Sequence, residues 1–267
     1  MKFLKIGGIV FGAVLLTTLA IDATDTLSGK GGTLLGQLIG SENSVCPKGM
    51  IHVISALTFT CVDEFESSVG VDCPFQNPSN KFDTNKNIEN QECQAVSSKK
   101  LLPWRNITRE QAALMCARSG KRLPSAEEWY QFAIGTPSEK CNIKSNKVEN
   151  NADANNSCVS AVSVKNAVGN VWEWVSDDVT DGNYKGRELP ESGYVTQVDS
   201  GGIATVTDKD ESSELFDEDY FWTNSSGVYA MIRGGFYGSR TDAGVYTAHA
   251  HTLPTFSGNA VGFRCVR

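Results

Sequence analysis

His249 and His251 lie two residues apart in a stretch, residues 236–259, made mostly of aromatic, small and hydroxylated side chains. On a strand, residues two apart share a face. Two imidazoles could hold Cu(II) or Zn²⁺, but no third ligand is evident nearby; the plainer reading is that both line a surface loop. Contact chemistry fits the whole stretch better. Phe236, Tyr237, Ser239, Arg240, Tyr246, His249, His251 and Phe256 stand among Gly, Ser and Thr, the mixture of aromatic, Arg and small polar residues that makes binding surfaces. Some of them, Tyr246 and Phe256 first, are candidates for strand core. The expected exposed set is then Tyr237, Arg240, His249 and His251. A second chemistry sits at Gly169, Asn170 and Glu173: a turn that aims carbonyls inward beside a carboxylate suits a hard cation such as Ca²⁺. Alternatively Glu173 pairs with an arginine such as Arg264.

The eight cysteines are Cys46, Cys61, Cys73, Cys93, Cys116, Cys141, Cys158 and Cys265. None forms the CxxC pair of a redox motif, nor the close pairs of a zinc site. In an exported chain their default state is disulfides. Sequence neighbours suggest Cys46–Cys61, Cys73–Cys93 and Cys141–Cys158, leaving Cys116–Cys265, among on the order of a hundred possible connectivities. No GxSxG, P-loop or HExxH motif occurs. The acidic run Asp208–Asp219 fits no EF-hand spacing and reads as a solvated loop.

Compartment follows from the N-terminus. Lys2 and Lys5 precede an uncharged apolar run from Ile6 to Ile21, shorter than the ~20 residues of a spanning helix. Residues 1–21 read as a signal peptide, or as an uncleaved anchor that would tie the chain to a membrane. The expected location is therefore outside the cytoplasm, secreted or at the cell surface. Residues 22–44 read as a linker and 45–267 as one domain. The net charge of -7 offers no basic stripe for phosphates, which argues against nucleic acid as a partner.

Two helices must position these groups. Thr108 with Gln111 and Ser125 with Glu128 are capping boxes, and Gly120 stops the first helix. After residue 160 the segments become short and rich in Val, Tyr, Thr and Gly, the pattern of strands and long loops. Helices early and strands late make the fold class α+β. The asparagine-rich stretch between Cys141 and Cys158 reads as a stapled loop.

Four segments in order sharpen this reading: Gly120–Trp129 (GKRLPSAEEW), Asn166–Trp174 (NAVGNVWEW), Ile232–Gly235 (IRGG) and Val261–Cys265 (VGFRC). Together they resemble the formylglycine-generating-enzyme, or sulfatase-modifying-factor, family. The resemblance implies an elaborated, disulfide-bonded C-type-lectin-like fold and a disulfide from Cys116 to Cys265. It also implies a structural calcium site whose ligands would be the Asn166 side chain, the carbonyls of Gly169 and Val171, and Glu173. Active members carry a copper-binding cysteine pair shortly after Arg-Gly-Gly; here that stretch has no cysteine, so no copper is expected. Cu(I) needs soft thiolates.

The stretch also lacks Lys, Glu, Gln, Met and Trp, types that make up roughly a sixth of the chain. These are residues that codons ending in a pyrimidine cannot encode. In this it resembles the variable region of diversity-generating-retroelement target proteins, which lies between Arg-Gly-Gly and Gly-Phe-Arg. The expected function is non-catalytic recognition of a protein or glycan ligand through residues 236–259. The alternative is an oxidoreductase, similar to the family's enzymes, acting on a client cysteine.

Overall fold

Thr108 and Ser125 begin helices as their capping boxes require. In the computed structural model, which describes residues 45–149 and 157–267, each hydroxyl accepts the backbone N–H of the residue three places on. The reciprocal side chains, Gln111 and Glu128, accept from the cap backbone N–H. These helices are α2 (Arg109–Arg118) and α3 (Ala126–Ala133). A further helix, α1 (Lys81–Glu89), precedes them, capped by Asn80 accepting from the Asp83 N–H. The leader and linker expectations for residues 1–44, and most of the asparagine-rich stretch, lie outside the described residues. Cys46–Arg267 form one compact unit.

The strands are short. Two antiparallel pairs form early: β1 (Met50–His52) with β2 (Cys61–Asp63), and β3 (Ser67–Val69) with β4 (Ala95–Ser97). The main sheet contains β5 (Trp172–Thr180), β6 (Asn183–Tyr184), β7 (Arg187–Glu188), β8 (Gly193–Val198), β9 (Ala204–Asp208), β10 (Tyr220–Trp222), β11 (Val228–Arg233), β12 (Ala248–Thr252) and β13 (Val261–Phe263). Its order is β7-β6-β5-β11-β12-β10-β8-β9, with β13 beside the start of β5. The pairs β10–β12 and β13–β5 are parallel; the others are antiparallel.

Alternation along β5 decides what each face buries. Trp174 belongs to a core with Trp104, Ile107, Met115 and Phe263, on the side of α2. Val175 belongs to the other core, with Trp129 and Phe132 of α3, Phe221 and Met231. Helices therefore cover both faces of the central strands, and the α+β class is the observed one. The eight cysteines pair as neighbour reasoning proposed: Cys46–Cys61, Cys73–Cys93, Cys141–Cys158 and Cys116–Cys265.

Cys116–Cys265 ties α2 to the segment after β13 across a sequence separation of 149 residues. Closing so long a loop strongly restricts the unfolded chain. Replacing both cysteines with alanine should lower the unfolding free energy by about 5 kcal/mol in denaturant titrations. Removing Cys73–Cys93, separated by 20 residues, should cost about 2 kcal/mol less.

Candidate functional site

β12 carries the two histidines on one face, as their spacing requires. Ala248, Ala250 and Thr252 are buried, while His249 and His251 alternate with them and are half-buried. The two imidazole rings lie 4.1 Å apart between centroids. His249 also stacks on Trp222 at 5.5 Å and meets Trp172 edge-on at 6.2 Å. Trp222 continues to Tyr220 at 4.6 Å and Tyr220 to Tyr194 at 5.2 Å. The result is a ladder of rings across β8, β10 and β12, which fixes the histidines against the sheet.

Beside the ladder opens a cavity of about 390 Å³. Phe236, His249, His251 and Phe256 line it from the stretch predicted to bind, and Trp172, Ile232 and Val261 from the scaffold strands. None of its lining residues carries a carboxylate, ammonium or guanidinium group. A concave, mostly apolar wall with a few polar atoms is the usual form of a ligand site. Burial pushes the His249 imidazole down to about 4, with the neighbouring His251 adding to the effect. Burial lowers His251 as well, opposed by the Trp222 backbone. Thr252 Oγ1 lies 2.8 Å from His249 Nδ1, whereas His251 Nδ1 is buried with no hydrogen-bond partner among the described residues. No group of three or more His, Cys, Asp or Glu able to hold a metal occurs among the described residues.

The other predicted contact residues diverge. Tyr237 packs edge-on against Phe236 at 5.1 Å but does not line the cavity. Ser239 is spent locally: its Oγ accepts the Phe236 N–H at 3.0 Å. Arg240 is exposed, in a short turn with φ 59°. Tyr246 turns away from the cavity and packs on Tyr130 at 5.9 Å and Phe216 at 5.2 Å. Phe256, a candidate for core, is instead 48% exposed at the cavity's lip. His249, His251 and Tyr237, expected exposed, are half-buried. Trp172, Ile232 and Val261 are cavity walls that the sequence does not mark as such. They read there as motif or core residues, and only strand pairing brings them near β12.

The acidic run also departs from expectation. Asp219, at its end, is fully buried. Its Oδ2 accepts the Tyr246 N–H at 2.7 Å, and burial pushes its carboxyl well up. A Cβ on Gly244 would overlap this carboxylate, so the close approach requires glycine there. Arg233, buried beside Trp129 at 4.9 Å, donates to the Val245 carbonyl at 2.7 Å. These contacts hold the middle of the stretch to the core.

In the segment expected to bind calcium, the carboxylate pairs with an arginine. Gly169 and Asn170 have φ of 75° and 56°, forming the expected turn. Glu173, however, receives Arg264 through Nη2 at 2.8 Å and Nε at 3.2 Å. Trp129 Nε1 donates to its other oxygen at 2.8 Å. Arg264 Nη2 also reaches the Asn166 carbonyl at 3.3 Å, and the Val171 N–H points to Glu66 at 3.3 Å. Of the four expected calcium ligands, Glu173 is thus held by the Arg264 guanidinium, the arginine pairing that the sequence offered as its alternative. Burial raises the Glu173 carboxyl, with Arg264 and Trp129 acting against it. Glu66, which no motif marks, hydrogen-bonds this turn through Asn170 and is pushed up to about 8, first by burial and then by Glu173.

Arg264→Leu should lower the unfolding free energy in denaturant titrations by about 3–5 kcal/mol, because it strands a buried carboxylate. For His249, the unfolded imidazole takes up its proton near pH 6.5 and the folded one near 4. Its contribution is therefore present above about pH 6.5 and lost as pH falls towards 4. Denaturant titrations at about pH 7 and pH 4.5 should differ by roughly 2–3 kcal/mol from this group, and His249→Gln should remove that part of the difference.

A family model described as a sulfatase-modifying factor enzyme 1-like domain matches residues 54–267. Among solved structures, the U1 variant of the Major Tropism Determinant is 18% identical with a TM-score of 0.48, over 83% of this chain and 53% of that one. Treponema denticola variable protein 1 is 14% identical with a TM-score of 0.45, over 83% and 91%. PvdO from Pseudomonas aeruginosa is 18% identical with a TM-score of 0.33, over 65% and 64%. The chain thus spans about half the length of the tropism determinant it matches. No curated protein matches it. The family match takes in both capping-box helices, the main sheet and all four motifs, and the chain belongs to the sulfatase-modifying-factor family, with its α+β, C-type-lectin-like fold.

Proposed function

We propose that this protein is an exported, non-catalytic binding protein that recognises a protein or glycan ligand through the cavity beside β12. The observation that carries the reading is the composition of that cavity: apolar and aromatic walls, two imidazoles held neutral at neutral pH, and most of the lining drawn from residues 236–259. Such a wall favours an apolar or aromatic group of the ligand. The residue types missing from 236–259 support a segment suited to variation, as in the variable proteins of diversity-generating retroelements.

The oxidoreductase reading requires a pair of thiols. All eight cysteines are engaged in disulfides, which supports recognition over redox chemistry. Those disulfides and the apolar run Ile6–Ile21 support export, to the cell surface or the medium.

The test is selection of ligands from glycan and peptide arrays with the full chain. Phe256→Ala and His251→Ala should each weaken the selected interaction about tenfold at unchanged melting temperature. Copper-dependent oxygen consumption with a cysteine peptide would overturn the reading.

A further inference from the structure

A second hollow, of about 250 Å³, borders residues 236–259 at Thr241 and Ala243. Glu139, Glu214, Asp217 and Glu218 also line it. None of these four carboxylates forms an ion pair among the described residues. Lys144 lines the hollow too, without pairing to any of them. Ser138 supplies an independent observation. It lines the same hollow, is only 9% exposed, and its Oγ is buried without a hydrogen-bond partner among the described residues. A buried hydroxyl left unpaired costs stability unless a donor or acceptor arrives from outside.

Size and geometry select the occupant. The described residues contain no group of three metal-ligating side chains in reach of one ion. The hollow is far larger than a dehydrated cation, and its volume suits an alkyl chain ending in an ammonium or guanidinium. Such a head carries several donors that several carboxylates and one hydroxyl can accept together. We propose that this hollow binds a lysine or arginine side chain of a protein partner. The proposal extends beyond the apolar cavity and does not depend on it. The position of Asp217 agrees: burial, then the like charge of Glu139, raises its carboxyl, a repulsion that a bound cationic head would relieve.

Fluorescein-labelled tetra-arginine and tetra-glutamate peptides, titrated into the full chain at low and high salt, test this. Tetra-arginine should bind saturably and weaken with salt, and tetra-glutamate should not bind. Glu139→Gln with Asp217→Asn should weaken tetra-arginine binding about tenfold, and Glu214→Gln provides a second, single-site variant should the double variant fail to fold. Ser138→Ala should weaken it about threefold without lowering the melting temperature, since it removes an unpaired buried hydroxyl. Asp210→Asn with Glu211→Gln, the same charge change on the exposed turn outside the hollow, should leave it unchanged. Equal weakening in that control, or no saturable binding, would overturn the proposal. So would saturable binding of Ca²⁺ alone that Glu139→Gln with Asp217→Asn abolishes, since that result assigns the hollow to a metal.

Discussion

A carboxylate and a guanidinium buried without access to water hold this fold in register. Glu173 and Arg264 are both fully buried and 2.8 Å apart. A pair in that setting persists only when its remaining lone pairs and protons are also satisfied. Trp129 completes the carboxylate, and Arg264 spends its other donors on the carbonyls of Asp63, Lys165 and Asn166. These partners come from α3, β2 and the loop before β5, and Arg264 itself from the segment after β13. Trp129 in turn lies under the Arg233 guanidinium. Each of the four sequence motifs thus sends one large or charged side chain to a single point. That convergence explains why the motifs come as a set: removing Glu173 or Arg264 leaves the other as an unpaired buried charge, and removing Trp129 takes a hydrogen bond from the carboxylate.

The residue after Arg264 is Cys265, whose disulfide to Cys116 anchors the same point to α2. Ion pair and covalent bond therefore act on neighbouring residues of one strand end. The first fixes geometry within the folded state, and the second limits the states available to the unfolded chain. Together they leave the cavity's scaffold wall, Trp172 and Val261, on strands paired in parallel at that end.

How much of this is legible in the sequence depends on the range of the determining interaction. Capping boxes are local, and both are readable. So is the disulfide pattern, because three of the four bonds join sequence neighbours. Helix α1 is not, since its buried residues are Thr84 and Asn87 and no apolar period announces it. The cavity is half legible. His249 and His251 declare a shared face through their spacing, but Trp222 reaches His249 only through a parallel pairing of β10 with β12. Tyr246 and Phe256 depart from simple patterning for a similar reason. Distant rings, Tyr130 and Phe216, hold Tyr246 away from the cavity, while the turn after β12 carries Phe256 outward.

Residues 236–259 are consequently two interleaved sets. Gly244 faces the buried Asp219 carboxylate, and Ala248 and Ala250 face the core; any larger side chain there meets packed atoms. Arg240, Thr241, Leu253, Thr255 and Phe256 meet solvent, and His251 borders the cavity. A change in the second set alters what the surface touches while the first set keeps the loop in place. Recognition can therefore be separated from folding within a single stretch of chain, because its anchors are backbone contacts to Arg233 and Asp219 and do not depend on the exposed side chains.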